Sequence, residues 1–154
     1  NGYSLIRKIL SRAQADLNQR IDGHTLGDLL MAPTQLYVKP VLSLLADLPI
    51  AAMAHITGGG LSENIIRVVP PGLGIHVNSQ SWPEPPVFQW LQQAGQVERH
   101  EMWRTFNCGI GFVLLLPAEA SVDAIARLRQ FGLAAYDIGH VVEAGAEDNR
   151  VHIV

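Results

Sequence analysis

Apolar residues recur at Ile6, Ile9, Leu10 and Ala13, positions i, i+3, i+4 and i+7, with Arg7 and Lys8 off the stripe. That period predicts an amphipathic helix running to about Asp16. A polar stretch through Asp22 and Gly23 follows, then a short helical run from Leu26 to Met31 that Pro33 stops. Proline is tolerated where a helix begins, so Pro40 places the next helix from about Lys39 through Val41, Leu44 and Leu45, closed by Pro49.

From Ile50 to Thr57 small and apolar residues fall on both sides of an extended chain, which predicts a strand covered on both faces and ended by Gly58, Gly59 and Gly60. A helix starting near Ser62 would complete a strand, loop, helix unit. Pro70, Pro71 and Gly72 then mark a turn, and Ile75 and Val77 alternate with His76 and Asn78 as a second strand. Val87, Trp90, Leu91 and Ala94 repeat at helical spacing within Pro85–Ala94, with Gly95 as the stop. Val97–Phe106 reads as a short helix and Cys108–Leu116 as a central strand. Ser121 is expected to cap a helix that stops at Gly132. Tyr136–Glu143 and Arg150–Val154 are read as an antiparallel closing pair with its turn at Gly145–Asn149. Five strands among about six helices predict an α/β or α+β domain in which helices cover a mixed sheet.

Composition narrows the class. With 154 residues, 48% of them hydrophobic, the chain fits one domain, residues 1–154, with an ordinary core and no need of disulfides. The balance of 11 Lys and Arg against 14 Asp and Glu leaves no basic footprint for a nucleic acid or an anionic membrane. Apolar runs such as Ile110–Leu116 are far shorter than the ~20 residues of a spanning helix. One cysteine, Cys108, without a partner thiol suits a reducing compartment, and the cytoplasm is expected. The sequence opens at Asn1 without an initiator Met or a signal-peptide pattern, which suggests an excised domain with a missing upstream half.

Two segments could carry chemistry. In His55-Ile56-Thr57-Gly58-Gly59-Gly60 the glycines would let backbone N–H groups approach an anion beside a helix N-terminus, or would serve only the dihedrals of a tight turn. No Walker lysine follows, which excludes a nucleotide P-loop. Arg104-Thr105-Phe106-Asn107-Cys108-Gly109-Ile110-Gly111 sets a cation, a hydroxyl and an amide at the mouth of a strand, where they could converge on a ligand or act as ordinary cap and turn residues. Cys108 has no nucleophile motif around it and reads as a buried, inert thiol. Asn1 and Ser4 lie where helix caps are common. The six histidines show no zinc spacing, and His76, His140 and His152 read as strand-surface residues. Trp82, Trp90 and Trp103 read as packing residues.

Several strings, in order, carry a family likeness: Asn1-Gly2-Tyr3-Ser4-Leu5-Ile6-Arg7-Lys8-Ile9-Leu10, Leu30-Met31-Ala32-Pro33-Thr34, Tyr37-Val38-Lys39, Ala54-His55-Ile56-Thr57-Gly58-Gly59-Gly60, and Glu101 through Gly109. Over essentially its whole length the chain resembles the C-terminal half of the aminoimidazole ribonucleotide synthetases, the phosphoribosylformylglycinamidine cyclo-ligases of purine biosynthesis. The resemblance implies an α+β domain with a mixed, largely antiparallel sheet in α/β/α layers. It implies an enzyme that uses ATP and Mg2+ to activate the formyl amide oxygen of formylglycinamidine ribonucleotide and then closes the imidazole ring. An N-terminal half would carry the acidic metal- and ATP-binding segments and the barrel of a homodimer. The family's His-Ser-Asn-Gly-Tyr-Ser motif lacks its leading His and Ser here because the sequence opens at Asn1.

On that likeness His55 and Asn1 are the catalytic candidates. Asn1, Ser4, Thr57, Gly58, Gly59, Gly60, Arg104, Thr105 and Asn107 are the candidate substrate-binding residues, and no residue is assigned to a metal. Neither ATP nor Mg2+ is expected to bind this half tightly. The glycine loop is expected to orient a phosphate, the ribose 5′-phosphate of the substrate in preference to those of ATP. Asn1, Ser4 and the loop are expected to share one partly exposed surface that faces the missing domain or its ligand, and the domain is expected to fold alone without catalysing ring closure. A non-catalytic ligand-binding or assembly module with the fold of selenophosphate synthetase and hydrogenase-maturation proteins is the competing reading.

Overall fold

The computed structural model describes residues 1–144 and 150–154. Helix α1 covers Tyr3–Arg12 and buries Ile6 and Ile9, the stripe that the period marks. It ends before Asp16 because Gln14 turns left-handed (φ 47°), and the Ala15 N–H returns to the Leu10 carbonyl at 3.0 Å. Two short strands, β1 (Arg20–Ile21) and β2 (His24–Thr25), then form an antiparallel hairpin inside the stretch read only as polar. Its two turn residues, Asp22 and Gly23, both have positive φ, as the tightest hairpin turns require.

Helix α2 (Leu26–Leu30) is capped by Thr25, whose Oγ1 accepts the Asp28 N–H at 3.1 Å. Helix α3 spans Val38–Leu45. Pro40 therefore falls in its first turn, where a missing N–H breaks no intrahelical bond.

Strand β3 (Ala52–His55) leads into α4 (Gly60–Ile65) and a 3₁₀ turn at Ile66–Val68. Strand β4 is Leu73–Val77, helix α5 Pro86–Gly95 and helix α6 Arg99–Thr105. Gly95 is not the expected stop. It is the last helical residue, and a Cβ there would lie 2.7 Å from Ile9 Cδ1, so glycine permits α5 to close on α1. The left-handed residue that ends α5 is Gln96 (φ 51°).

Strand β5 is shorter than the apolar run from Cys108 to Leu116 suggests, covering only Phe112–Leu115. It is not central. Its sole partner among the described residues is β3, antiparallel, with Ala54 opposite Val113. Positive φ at Cys108 and Gly109 keeps the first part of the run out of the strand. After a 3₁₀ turn at Ala118–Ala120, helix α7 spans Ser121–Gln130. Ser121 does not cap it, being already helical (φ −59°, ψ −47°). Gly132, with φ 77°, does end it.

Strands β6 (Gly139–Glu143) and β7 (Val151–Ile153) lie within the two segments read as closing strands but do not pair with each other. β4 lies between them, antiparallel to β6 and parallel to β7. Nearness in sequence at the end of the chain is silent on which neighbour supplies the hydrogen bonds. The turn expected at Gly145–Asn149 lies outside the described residues. The class is α+β, with the β structure divided among small antiparallel and mixed sheets instead of gathered into one.

Two apolar cores hold these pieces. One joins Ala54, Ile56, Leu61, Ile65, Ile75, Val77 and Val113, and so locks α4 to both larger sheets. The other joins Ile6, Ile9, Leu26, Leu91, Met102, Phe106 and Cys108 from the helical side, and Trp103 touches both. Leu26, Leu61, Ile65 and Leu91 are almost completely buried, each worth about 1.5–3 kcal/mol relative to exposure. Among the described residues no helix is long and apolar enough to cross a membrane.

Candidate functional site

The glycine segment is shaped from within. Gly59 (φ 98°) and Gly60 (φ 58°) both take left-handed backbone, and the Gly60 N–H donates to the Thr57 carbonyl at 3.1 Å. Asn64 is the buried polar side chain beneath the turn. Its Nδ2 donates to the carbonyls of Gly60 at 2.7 Å and Gly58 at 3.1 Å. Its Oδ1 accepts from Thr57 Oγ1 at 3.4 Å and Arg67 Nη1 at 3.3 Å. The carbonyls of the loop are thus drawn inward. Among the described residues the N–H groups of Gly58 and Gly59 have no acceptor.

Gly60 also sets how closely α4 approaches α6. A Cβ at that position would stand 2.0 Å from the Trp103 carbonyl oxygen and 2.7 Å from that of Phe106. No side chain fits between two backbones at this spacing. The start of α1 is pinned to the same place: Gly2 (φ 77°) has room for no Cβ against Phe106, whose Cε1 would be 2.4 Å away. Asn1 Oδ1 lies 3.6 Å from where a Gly58 Cβ would be. The fold therefore brings Asn1, Gly58–Gly60 and the backbone of Trp103–Phe106 together although they are far apart in sequence.

Each candidate takes a definite place around this point. Arg104 is exposed and bonds Glu63 Oε1 through Nε at 3.1 Å and Glu101 Oε1 through Nη1 at 3.4 Å. These hydrogen bonds, then the two negative charges, push its pKa further up. Glu63 in turn lies against Gly59, whose Cβ would meet Glu63 Oε2 at 2.6 Å. A carboxylate with its arginine thus flanks the loop, and the loop is not the bare row of three free N–H donors that the glycines suggest.

Thr105 is the half-buried last residue of α6. Asn107 Oδ1 is occupied by the Gly109 N–H at 3.0 Å, an ordinary turn role. Ser4 is exposed on the first turn of α1, and neither it nor Asn1 caps that helix, whose N-cap is Gly2.

His55 stands apart from the loop, on the exposed side of β3. Its ring centroid is 5.9 Å from those of Tyr37 and Phe112. The Tyr37 hydroxyl fills the space over Gly111, 1.9 Å from where a Cβ would be, and burial raises the pKa of that phenol. Among the described residues His55 has aromatic neighbours and no hydrogen-bonded carboxylate that would orient and activate a general base.

Cys108 is fully buried, its thiol pushed up to about 12, chiefly by burial and then by the charge of Glu84. His76, His140 and His152 do lie exposed on the sheet surface, in one row across β6, β4 and β7, with ring centroids 5.6 and 5.2 Å apart. Among the described residues no three His, Cys, Asp or Glu side chains are grouped to hold a metal ion. Trp82 is buried, and its Nε1 donates to the Cys108 carbonyl at 2.9 Å.

Sequence reasoning missed Asn64 and Glu63. Asparagine is a poor helix former, and its place inside a short helix four residues after Gly60 is the signal that could have marked it. A cavity of about 520 Å³ lies elsewhere, between the two larger sheets and α7, lined by residues such as Ile75, Val113, Leu128 and Tyr136. None of the candidate residues lines it.

The family described as AIR synthase related protein, C-terminal domain, matches residues 1–152. The chain belongs to that family. Its relatives include the phosphoribosylformylglycinamidine cyclo-ligase of Xanthomonas oryzae pv. oryzae, 59% identical over 99% of this chain and 46% of the relative. The cyclo-ligase of Xylella fastidiosa is 54% identical over 99% of this chain and 44% of its own length. The chain thus spans less than half the length of these curated relatives.

Among solved structures, a thiamine-monophosphate kinase from Stenotrophomonas maltophilia superposes with a TM-score of 0.65 at 15% identity, covering 99% of this chain and 46% of the kinase. The E. coli hydrogenase maturation protein HypE gives 0.61 at 23% identity, covering 88% of this chain and 39% of HypE. At such identities the likeness is one of fold. Membership of this C-terminal domain family agrees with the α+β class.

Proposed function

We propose that the chain is the C-terminal half of an ATP-dependent cyclo-ligase that converts formylglycinamidine ribonucleotide to aminoimidazole ribonucleotide, a cytoplasmic step of purine biosynthesis, in an enzyme whose intact form is a homodimer. The observation that carries this reading is 54–59% identity to relatives of that name across 99% of the chain. The convergence of Asn1, Gly58–Gly60 and the Arg104 segment supplies the matching site. Activation of the formyl amide oxygen by phosphorylation turns it into a leaving group, and the amidine nitrogen attacks the same carbon within one molecule, where proximity lowers the barrier.

This half binds and orients. The free N–H groups of Gly58 and Gly59 and the Asn1 amide hold the substrate's ribose phosphate, and Arg104 turns from Glu63 towards the arriving anion. Ser4, Thr57, Thr105 and Asn107 are the further substrate contacts of this reading. His55 stays a catalytic candidate only as a proton carrier reached across its aromatic neighbours. The donor set present does not suit magnesium between phosphates, because the described residues offer no carboxylate cluster. ATP and its metal belong to the N-terminal half.

The test is steady-state kinetics of the two-domain enzyme with ATP, Mg2+ and substrate. Arg104→Met and Gly59→Val should each raise KM for the ribonucleotide at least fivefold with a smaller change in KM for ATP. Loss of ATP affinity with substrate affinity retained would assign the loop to the nucleotide. Absence of turnover in the wild type would remove the reading altogether.

A further inference from the structure

Helix α3 is apolar on two sides. Val41 and Leu44 are buried with Pro40, while Val38, Leu42 and Leu45, spaced i, i+4 and i+7, form a second stripe that is 68%, 60% and 38% exposed. Leu36 and Met31, just before the helix, are 79% and 75% exposed. A helix that is apolar nearly all round belongs inside an assembly, not against water. From Leu29 to Leu45 the only charged side chain is Lys39. Such depletion is the mark of a permanent interface, since transient ones keep a surface-like share of charge.

We propose that the outer stripe of α3, continued by Leu36 and Met31, is the surface on which this domain docks the N-terminal half of its own chain. The inference rests on the reading above in taking the occupant to be that half. Two observations choose it. The curated relatives are more than twice as long as this chain, and the matching family is by description a C-terminal domain, so the remainder precedes Asn1. The exposed run also starts beside the point where that remainder joins: the Tyr3 hydroxyl, on the first turn of α1, donates to the Leu30 carbonyl, one residue before Met31. Tyr3 is itself 41% exposed, so the apolar surface continues from α1 to Met31.

Cys108, buried with its thiol held neutral, makes maleimide labelling of an introduced cysteine a direct probe of the stripe. In the two-domain protein, Leu42→Cys and Val38→Cys should label at least tenfold more slowly than Val122→Cys, a control on α7 where the native side chain is 79% exposed. Peptide mapping separates these sites from any upstream cysteine. Cys108 remaining unlabelled certifies the fold of each variant, and Val38→Cys serves where Leu42→Cys does not fold. Equal rates at the three positions would overturn the proposal. Slow labelling that speeds up on dilution would also overturn it, by showing that a second copy covers the stripe. Wild-type turnover, measured on the same preparation, separates the two claims. Turnover with a freely labelled stripe defeats the surface alone, and a protected stripe without turnover defeats the cyclo-ligase reading alone.

Discussion

The glycine loop and the aromatic group around His55 sit at the end and on the flank of one strand, yet they are held in opposite ways. At the loop, backbone meets backbone: Gly60 leaves no room for a methyl group against Trp103, and Asn64 answers the loop's carbonyls from below. At His55, three rings lean together at 5.3–5.9 Å between centroids, with His55 exposed to solvent. The first region has one geometry and no slack. The second rests on contacts between side chains. A position fixed by backbone contact serves to place a ligand, and an exposed side chain such as His55, held by ring contacts alone, tolerates change, so the two should separate sharply when mutated.

The strongest way to break the contrast is Gly60→Ala, which combines a left-handed φ with a backbone clash. It should cost about 3 kcal/mol or more in chemical denaturation, and a loss under 1 kcal/mol would show that α4 and α6 part freely. Asn64→Ala leaves the carbonyls of Gly58 and Gly60 unmet and should cost about 2 kcal/mol, with faster amide exchange across 57–61.

Beside Asn107, Cys108 tests the same interior by pH. Burial favours its neutral thiol, so that contribution is intact below pH 9 and is lost as pH rises from 9 towards 12. Relative to Cys108→Ala, the wild type should lose up to about 1.4 kcal/mol per pH unit inside that window, read from denaturation midpoints. Parallel curves for the two proteins would mean that the thiol is accessible. The smallest effect belongs to His55→Ala, below about 1 kcal/mol, the range of one aromatic contact at an exposed site. A larger loss would make the aromatic group as rigid as the loop.

What the sequence discloses follows from the range of each interaction. Helices α1 and α5 were legible because one buried stripe repeats several times within ten residues. The hairpin at Arg20–Thr25 was not, since two-residue strands carry no alternation, although Asp22-Gly23 names its turn. The order β6-β4-β7 depends on contacts some seventy residues apart, which no local pattern records. Gly95 shows the same limit: glycine after an apolar period looks like a stop, and only the distance to Ile9 reveals a packing role.

Of the site, the nearness of Asn1 to Gly58 was foreseen through the family's strings. The carboxylate of Glu63 beside the loop was not, because its position follows from how α4 leaves Gly59. Nor does any spacing in the sequence say that His55 faces Tyr37.

The row of His76, His140 and His152 doubles as a marker of register. His76 on β4 stands directly opposite His140 on β6 and His152 on β7. Side chains alternate across a strand, so a slip of one residue in either outer strand would carry its imidazole to the opposite face of the sheet. Cross-strand proximity of the three rings therefore reports both pairings of β4 at once.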